Sequence, residues 1–183
     1  MLLTPPTRPP QAATILECTF QSPLGPLHLG ATHEGLCFLE FDEPRRLAST
    51  HHGLDRWLAL HRVPGRNEHM DLAISQLEDY FAGTRRTFTV PLVAPGTAFE
   101  TRVWTTLQSI PCGTTWSYAQ LASAIGNSRA PRAVGMANGR NRISILIPCH
   151  RVVNTGGSLG GYGGGLWRKD WLLKHEATTA GAS

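Results

Sequence analysis

No stretch of this 183-residue chain approaches eighteen consecutive apolar residues, so no membrane-spanning helix is expected. Its first residues, Met1-Leu2-Leu3-Thr4-Pro5-Pro6-Thr7-Arg8-Pro9-Pro10, lack a basic region followed by an apolar core, which argues against a secretory signal. Cysteine is sparse: Cys18, Cys37, Cys112 and Cys149 lie far apart with no Cys-x-x-Cys pair, so free thiols are expected rather than a disulfide framework. Cys18, His28, His33 and Cys37 fit no standard finger spacing, so they are read as strand residues and no metal is expected. Acidic residues are nearly missing from one half: residues 98–183 hold 3 Asp+Glu against 9 Lys+Arg, net +6, whereas residues 1–97 hold 10 and 8, net −2. Such asymmetry points to a polyanionic partner for the second half, the alternative being a solvated basic face. With 41% hydrophobic and 16% charged residues, the chain is globular, with room for one large or two small domains.

Residues 1–13, rich in proline and small residues, read as a disordered tail. Ile15–Phe20, Leu27–Ala31 and Leu36–Phe41 are short extended runs split by Ser22-Pro23-Leu24-Gly25 and His33-Glu34-Gly35, the pattern of a small antiparallel sheet. Residues 42–68 are polar and offer only a short helical face of Leu54, Trp57, Leu58 and Leu60. From Met70, the spacing of Ala73, Ile74, Leu77, Tyr80 and Phe81 predicts a helix that covers the sheet and stops at Gly83. Residues 84–98, with Pro91, Pro95 and Gly96, read as the connection between two halves.

Beyond it Phe99, Val103, Trp104, Leu107 and Ile110 form one helical stripe closed by Pro111. Ser117-Tyr118-Ala119-Gln120 is a capping box that opens a helix ending at Gly126, and a further helix runs from about Ser128, with Pro131 in its first turn, to Asn138. The pair is a helix-turn-helix candidate. The second helix carries Ala130, Ala133, Gly135 and Ala137, with Arg132, Arg140 and Arg142 at and beyond its ends. It suits either a nucleic-acid groove or tight core packing, and the charge of this half favours the groove.

Ile143–Leu146 reads as a buried strand leading into Ile147-Pro148-Cys149-His150-Arg151. Proline marks a strand end, where a thiol beside an imidazole and a guanidinium can serve as a nucleophile. Taken alone, a cysteine in such a run is more often a small buried hydrophobe. Seven glycines within Asn154–Gly165 can bring backbone amides to a ligand or simply form a flexible loop; no Gly-Lys-Ser/Thr follows, which excludes a P-loop. A last helix, Leu166–Ala177, is expected to bury Trp167, Trp171 and Leu172. It places Glu176 near its C-terminal end, where the dipole disfavours a carboxylate that lacks a partner elsewhere.

Taken together, Ile145–Val153, Ser117-Tyr118, Arg132-Ala133-Val134-Gly135, Asn141, Gly160–Leu166 and Arg168–Glu176 resemble the O6-alkylguanine-DNA alkyltransferases, most of all the bacterial stand-alone members, over residues 14–178. The resemblance implies a mixed α/β fold of the α+β kind. A small N-terminal antiparallel sheet with a covering helix, ribonuclease H-like, spans residues 14–91. Residues 92–98 are a linker, and 99–178 form a mostly helical, winged-helix-like DNA-binding and active-site domain with the helix-turn-helix; 179–183 are a tail.

The resemblance further implies that Cys149 accepts an alkyl group from guanine O6, irreversibly and once per molecule, with His150 taking the thiol proton through water, Glu176 holding His150, and Asn141 pinning the turn before the active-site strand. Tyr118 and Arg132 would rotate the nucleotide out and fill its place, and Ala133 and Gly135 would fit the recognition helix to the minor groove. The carbonyls of Cys149 and Val152 would read the guanine amino group. Tyr162, Arg151 and the Gly163 amide, where many relatives have serine, would complete the substrate and DNA contacts, and Arg142, where proline is common, would add a phosphate contact. The implied partner is double-stranded DNA containing O6-alkylguanine, met by a monomer in the bacterial cytoplasm or nucleoid with no cofactor and no membrane. A DNA-binding regulator would not need Cys149 beside His150 and Glu176, and a cysteine hydrolase would need an oxyanion hole and an imidazole touching the sulfur.

Overall fold

In the computed structural model, residues 13–58 and 60–181 are described, and they form two compact units divided between Gly96 and Thr97. All but the last residue of the expected tail 1–13 lies outside the described residues; Ala13 already belongs to the first strand. The first unit runs β1 (Ala13–Ser22), β2 (Gly25–Ala31), β3 (Leu36–Phe41), α1 (Pro44–Asp55), β4 (Leu60–Pro64) and α2 (Glu68–Phe81). Its sheet has the order β3-β2-β1-β4. The three predicted strands pair antiparallel, but β4 joins β1 in parallel, from Ala13 opposite Leu60 to Glu17 opposite Pro64, so the sheet is mixed rather than antiparallel.

Both elements that the sequence pattern concealed, α1 and β4, have physical reasons for reading as polar. Pro44 starts α1, whose buried residues are only Thr50 and Leu54. Leu54 nonetheless completes a core cluster with Ile15, Cys37, Phe38 and Leu58. β4 is an edge strand of five residues ending in proline, a position that tolerates His61 and Arg62. On β3, all six residues are buried, Glu40 included, because Arg46 Nε and Thr50 Oγ1 of α1 each donate to Glu40 Oε1 at 2.9 Å. The opposite edge of β3 is covered by the expected connection: Leu36 N–H donates to Pro91 O and Val93 N–H to Leu36 O, both at 2.9 Å. Residues 91–93 are therefore part of the sheet's edge rather than a plain linker.

Helix α2 begins two residues before the predicted start because Asn67 caps it, accepting from Met70 N–H, with Glu68 and Asp71 in its first turn where the dipole favours them. Met70, Ala73, Ile74, Leu77 and Tyr80 are its buried apolar stripe, each contributing on the order of 1.5–3 kcal/mol for the larger side chains. Gly83, at φ +77°, ends it as expected.

The second unit runs α3 (Ala98–Leu107), β5 (Trp116–Ser117), α4 (Tyr118–Ala124), α5 (Pro131–Gly139), a 3-10 turn (Cys149–Arg151), β6 (Val152–Val153) and α6 (Leu166–Gly181). Capping boxes open both α3, at Thr97 and Glu100, and α4, at Ser117 and Gln120. Gly126, at φ +77°, turns the chain between α4 and α5, which pack on each other and on α3. Trp104 Nε1–H donates to Ala137 O at 2.9 Å and ties α3 to the end of α5. β5 and β6 pair in parallel over two residues. α6 continues past the expected end at Ala177. It buries Leu172 but leaves Trp167 57% exposed, contrary to expectation, because the inward face is set by Lys169, Leu172 and Glu176 at helical spacing. None of the helices among the described residues is long and apolar enough to cross a membrane.

An ideal Cβ on Gly30 of β2 would lie 2.0 Å from Cε1 of the buried Phe38 ring. Gly30→Ala is therefore expected to destabilise the protein by about 1–3 kcal/mol, the range for overpacked cores, read as a lower urea midpoint. An unchanged midpoint would mean that Phe38 is free to move aside.

Candidate active site

The segment before Cys149 is not the expected strand. Ile147 N–H donates to Ile143 O (3.0 Å), Leu146 N–H to Ser144 O (2.8 Å) and Cys149 N–H to Ile147 O (2.8 Å), a run of tight turns with Ile145 at φ +70°. A left-handed β-branched residue costs roughly 1–2 kcal/mol, and Ile145 is held there by its burial together with Ile143 and Ile147. The cause of the winding is Asn141. Its Oδ1 accepts from Ile143 N–H at 3.0 Å, while Nδ2 reaches Ile147 O at 2.9 Å, Ile143 O at 3.3 Å and Cys149 Sγ at 3.1 Å. One amide side chain thus wraps the backbone around itself and touches the sulfur it delivers. Cys149 is 6% exposed.

Pro148 leads into the 3-10 turn that carries Cys149, His150 and Arg151 on one buried loop. His150 Nε2 lies 2.8 Å from Glu176 Oε1. Burial pushes the Glu176 carboxyl up, but hydrogen bonds and charge from His150 and Arg151 outweigh it and hold the group well below the usual carboxylate range. An ionised carboxylate only accepts, so Nε2 carries the imidazole proton and Nδ1 is left with its lone pair. Nδ1 is buried with no hydrogen-bond partner among the described residues. Burial lowers the His150 pKa, with Glu176 opposing and Arg151 and Lys169 assisting, so the ring is neutral near pH 7.

Arg151 does not face outward as a DNA contact. It is 5% exposed, with Nε 2.8 Å from Glu176 Oε2, Nη2 2.9 Å from Oε1 and Nη1 2.5 Å from Ile110 O. Gly113 N–H adds a bond to Glu176 Oε2 at 3.1 Å. The partner expected for Glu176 is therefore a set of four donors. Lys169, one of only two lysines in the chain, went unassigned in the sequence. It is fully buried, and its ammonium donates to Val152 O (2.6 Å), Leu159 O and Gly161 O (3.4 Å), pinning the glycine-rich loop to β6. Burial pulls it down to about 8, the charge of Cys149 pulling the other way. The signal was present: Lys169 and Glu176 stand seven residues apart, on one face of α6 and two turns from each other.

Tyr118, the first residue of α4, is half-buried between α5 and the glycine loop. A Cβ on Gly135 would sit 3.6 Å from its ring, and one on Gly160 would sit 3.2 Å from its hydroxyl. Burial, and then the charge of Cys149, raises the Tyr118 pKa, so its hydroxyl keeps its proton. On α5, Arg132 and Ala133 are exposed, as is Met136, while Ala137 is buried beneath Trp104 and Gly135 makes room for Tyr118. The small residues thus divide between the outer face and the packing behind it. Arg140 pairs with Glu100 at 3.0 Å, and Arg142 lies over the Trp104 ring at 5.8 Å. Tyr162 meets His150 edge-on at 6.5 Å between centroids, and Gly163 is exposed on the loop. Val152 is buried, its carbonyl already receiving Lys169.

The four cysteines are free thiols. Cys18 lies 3.5 Å from Met70 Sδ, His28 bonds Asp42 at 3.1 Å, and burial pushes the Cys37 thiol up to about 11. His33 is exposed. No group of three or more His, Cys, Asp or Glu side chains among the described residues is arranged to hold a metal ion.

Residues 15–94 match the description "6-O-methylguanine DNA methyltransferase, ribonuclease-like domain", and residues 98–178 match "6-O-methylguanine DNA methyltransferase, DNA binding domain". A methylated-DNA–protein-cysteine methyltransferase of Methanosarcina acetivorans is 42% identical over 159 residues, covering 87% of this chain and 96% of its own. One from Mycobacterium tuberculosis is 45% identical over 168 residues, covering 90% and 93%. Among solved structures, the M. tuberculosis O6-methylguanine methyltransferase aligns with a TM-score of 0.76 at 40% identity, covering 92% of this chain and 96% of that one. The M. tuberculosis OGT in complex with DNA aligns at 0.76 with 42% identity, covering 91% and 94%.

The Lys169 environment has a consequence for stability. From about pH 8 up to the ordinary lysine value of 10.5, the unfolded chain holds a proton that the folded chain has shed, so this group's contribution to stability rises with pH across that window. Relative to Lys169→Met, the native protein should therefore gain urea resistance between pH 8 and 10.5. Parallel midpoints for the two proteins across that range would disprove the burial effect.

Proposed function

Because this chain belongs to the 6-O-methylguanine DNA methyltransferase family, we propose that it moves the alkyl group from guanine O6 in double-stranded DNA onto its own Cys149, once per molecule and without a cofactor. Its activity is that of a transferase in DNA repair, with DNA as donor and a protein cysteine as acceptor. The observation that carries the assignment of Cys149 is the joining, within a single turn, of a thiol to a buried histidine–carboxylate pair.

The thiol passes its proton through a water to His150 Nδ1; a buried acceptor with no protein partner is the kind of group that holds such a water. Sγ then attacks the alkyl carbon. The S–C bond forms as the C–O6 bond breaks, the electron pair leaves on guanine, and the relayed proton ends on the departing base. Tyr118, which keeps its proton, donates toward guanine N3. A thiol and an O6-alkylguanine become a thioether and guanine, and a thioether is not reversed by these groups. Asn141 aims the sulfur through its Nδ2 contact.

Cys149 lies too deep to meet a base inside the duplex, so the nucleotide must rotate out. Arg132, exposed at the second residue of α5, fills the vacated stack, and Ala133 lets the helix approach in the minor groove. The carbonyls of Cys149 and Val152 accept from the guanine amino group, the Val152 oxygen using its second lone pair. The Gly163 amide and Tyr162 line the same loop wall. The protein acts as a monomer in the bacterial cytoplasm or nucleoid.

Duplex DNA with labelled O6-methylguanine should label the protein to a limit of one equivalent, and Cys149→Ser should bind DNA but take no label. Label on the serine variant, or turnover beyond one equivalent, would reject the scheme. Arg132→Ala should slow repair of duplex by roughly tenfold or more while sparing free O6-benzylguanine, since unstacking costs a few kcal/mol and each 1.4 kcal/mol is tenfold. Equal losses on both substrates would reject the stacking role.

A further inference from the structure

Arg151 is a buried cation to which the scheme above gives no role. Arg151 grips both oxygens of Glu176 with its fork, through Nε and Nη2, and anchors its remaining arm on Ile110 O. With His150 Nε2 and Gly113 N–H, four donors fill the carboxylate's acceptor sites. Glu176 is thereby fixed in rotation. Its negative charge is also offset in part by the guanidinium that grips it. In a hydrolase-type pair the carboxylate stabilises an imidazolium. Here a proton arriving on His150 would meet a neutral Glu176–Arg151 pair.

We propose that Arg151 is a positioning residue for the transfer reaction: by occupying Glu176 it lets the carboxylate orient His150 while preventing it from holding His150 as an imidazolium. His150 then relays the thiol proton instead of storing it. This inference rests on the role of His150 given above. The charged groups around the ring divide: Glu176 favours the imidazolium, and Arg151 and Lys169 disfavour it. From α6 come Glu176 and the Lys169 ammonium; from the same turn come Arg151 and Cys149; from the glycine loop comes the Tyr162 ring. α3, which packs on the turn, has its Glu100 committed to Arg140 and Thr97. Of the other charged groups of α6, Lys174 pairs with Asp170 at 2.7 Å on the surface, and the buried Arg168 donates to Gly164 O at 2.7 Å and lies over the Trp167 ring. Among the described residues around the ring, Glu176 is the anion that favours the imidazolium, and Arg151 grips it.

The test uses the full-length protein. In Arg151→Gln, an amide still donates to Glu176 but the charge is gone, so the acid limb of the alkyl-transfer rate should move toward higher pH by roughly one pH unit, the effect of removing a neighbouring charge. The His150 ring, followed by NMR without DNA, should shift its titration in step. Arg151→Lys keeps the charge and loses the fork, so its midpoint should stay near wild type while the rate falls. A folded Arg151→Gln protein with unmoved rate profile and unmoved His150 titration would overturn the proposal, leaving Arg151 a structural tie to Ile110. Should the glutamine variant not fold, the wild-type titration decides: a neutral His150 at pH 7 is required, and an imidazolium there would overturn it. Because the NMR arm needs no alkylated substrate, failure of alkyl transfer would count against the functional scheme without touching this measurement.

Discussion

Glu176 holds a negative charge on a fully buried side chain, and the arrangement of the second unit follows from how that charge is satisfied. Stranding a buried carboxylate is destabilising by several kcal/mol, so its donors must be supplied by elements brought to it: His150 and Arg151 from the 3-10 turn, Gly113 from the loop before β5. The Arg151 fork adds Ile110 at the end of the α3 stripe. Two stretches distant in sequence, residues 110–113 and the 3-10 turn, are thus fixed relative to α6 by Glu176 and the Arg151 side chain that grips it, and the thiol is carried along because it begins the same turn.

The amide side chain of Asn141 performs the complementary task on the segment that leads to the sulfur. Asn141 bends Ile143–Ile147 into turns tight enough to force Ile145 into the left-handed region, and its Nδ2 ends on Cys149 Sγ. Between Asn141 and Glu176, the cysteine and histidine are constrained from both directions, which suits catalytic groups that act once and need no large rearrangement of their own.

Much of this was legible in the sequence because the signals were local. The stripe of α2, the capping box at Ser117, the stop at Gly126 and the Pro-Cys-His-Arg motif each reside within a few residues. What was hidden depends on partners far along the chain. α1 buries only Thr50 and Leu54, and β4 is polar because it sits at an edge, so neither shows a periodic face. The run Ile143–Leu146 has the composition of a buried strand, yet Asn141 claims the backbone groups that a strand would need. The resemblance places Arg151 among the substrate and DNA contacts; only its bonds to Glu176, 25 residues later, reveal the buried fork. Trp167 was misjudged by its hydrophobicity, when the helix face set by Lys169 and Glu176 leaves it in solvent with the Arg168 guanidinium over its ring.

The chain meets its need for positive charge almost wholly with arginine, and its two lysines stand in opposite settings on α6. Lys169 is enclosed by three carbonyls, while Lys174 projects from the surface with 76% of its side chain exposed. Amine-directed reagents therefore find a single side-chain address on the folded protein, five residues from the buried ammonium yet facing the solvent. A fluorophore or a surface tether attached there sits on an exposed side chain and leaves the buried thiol and its histidine untouched.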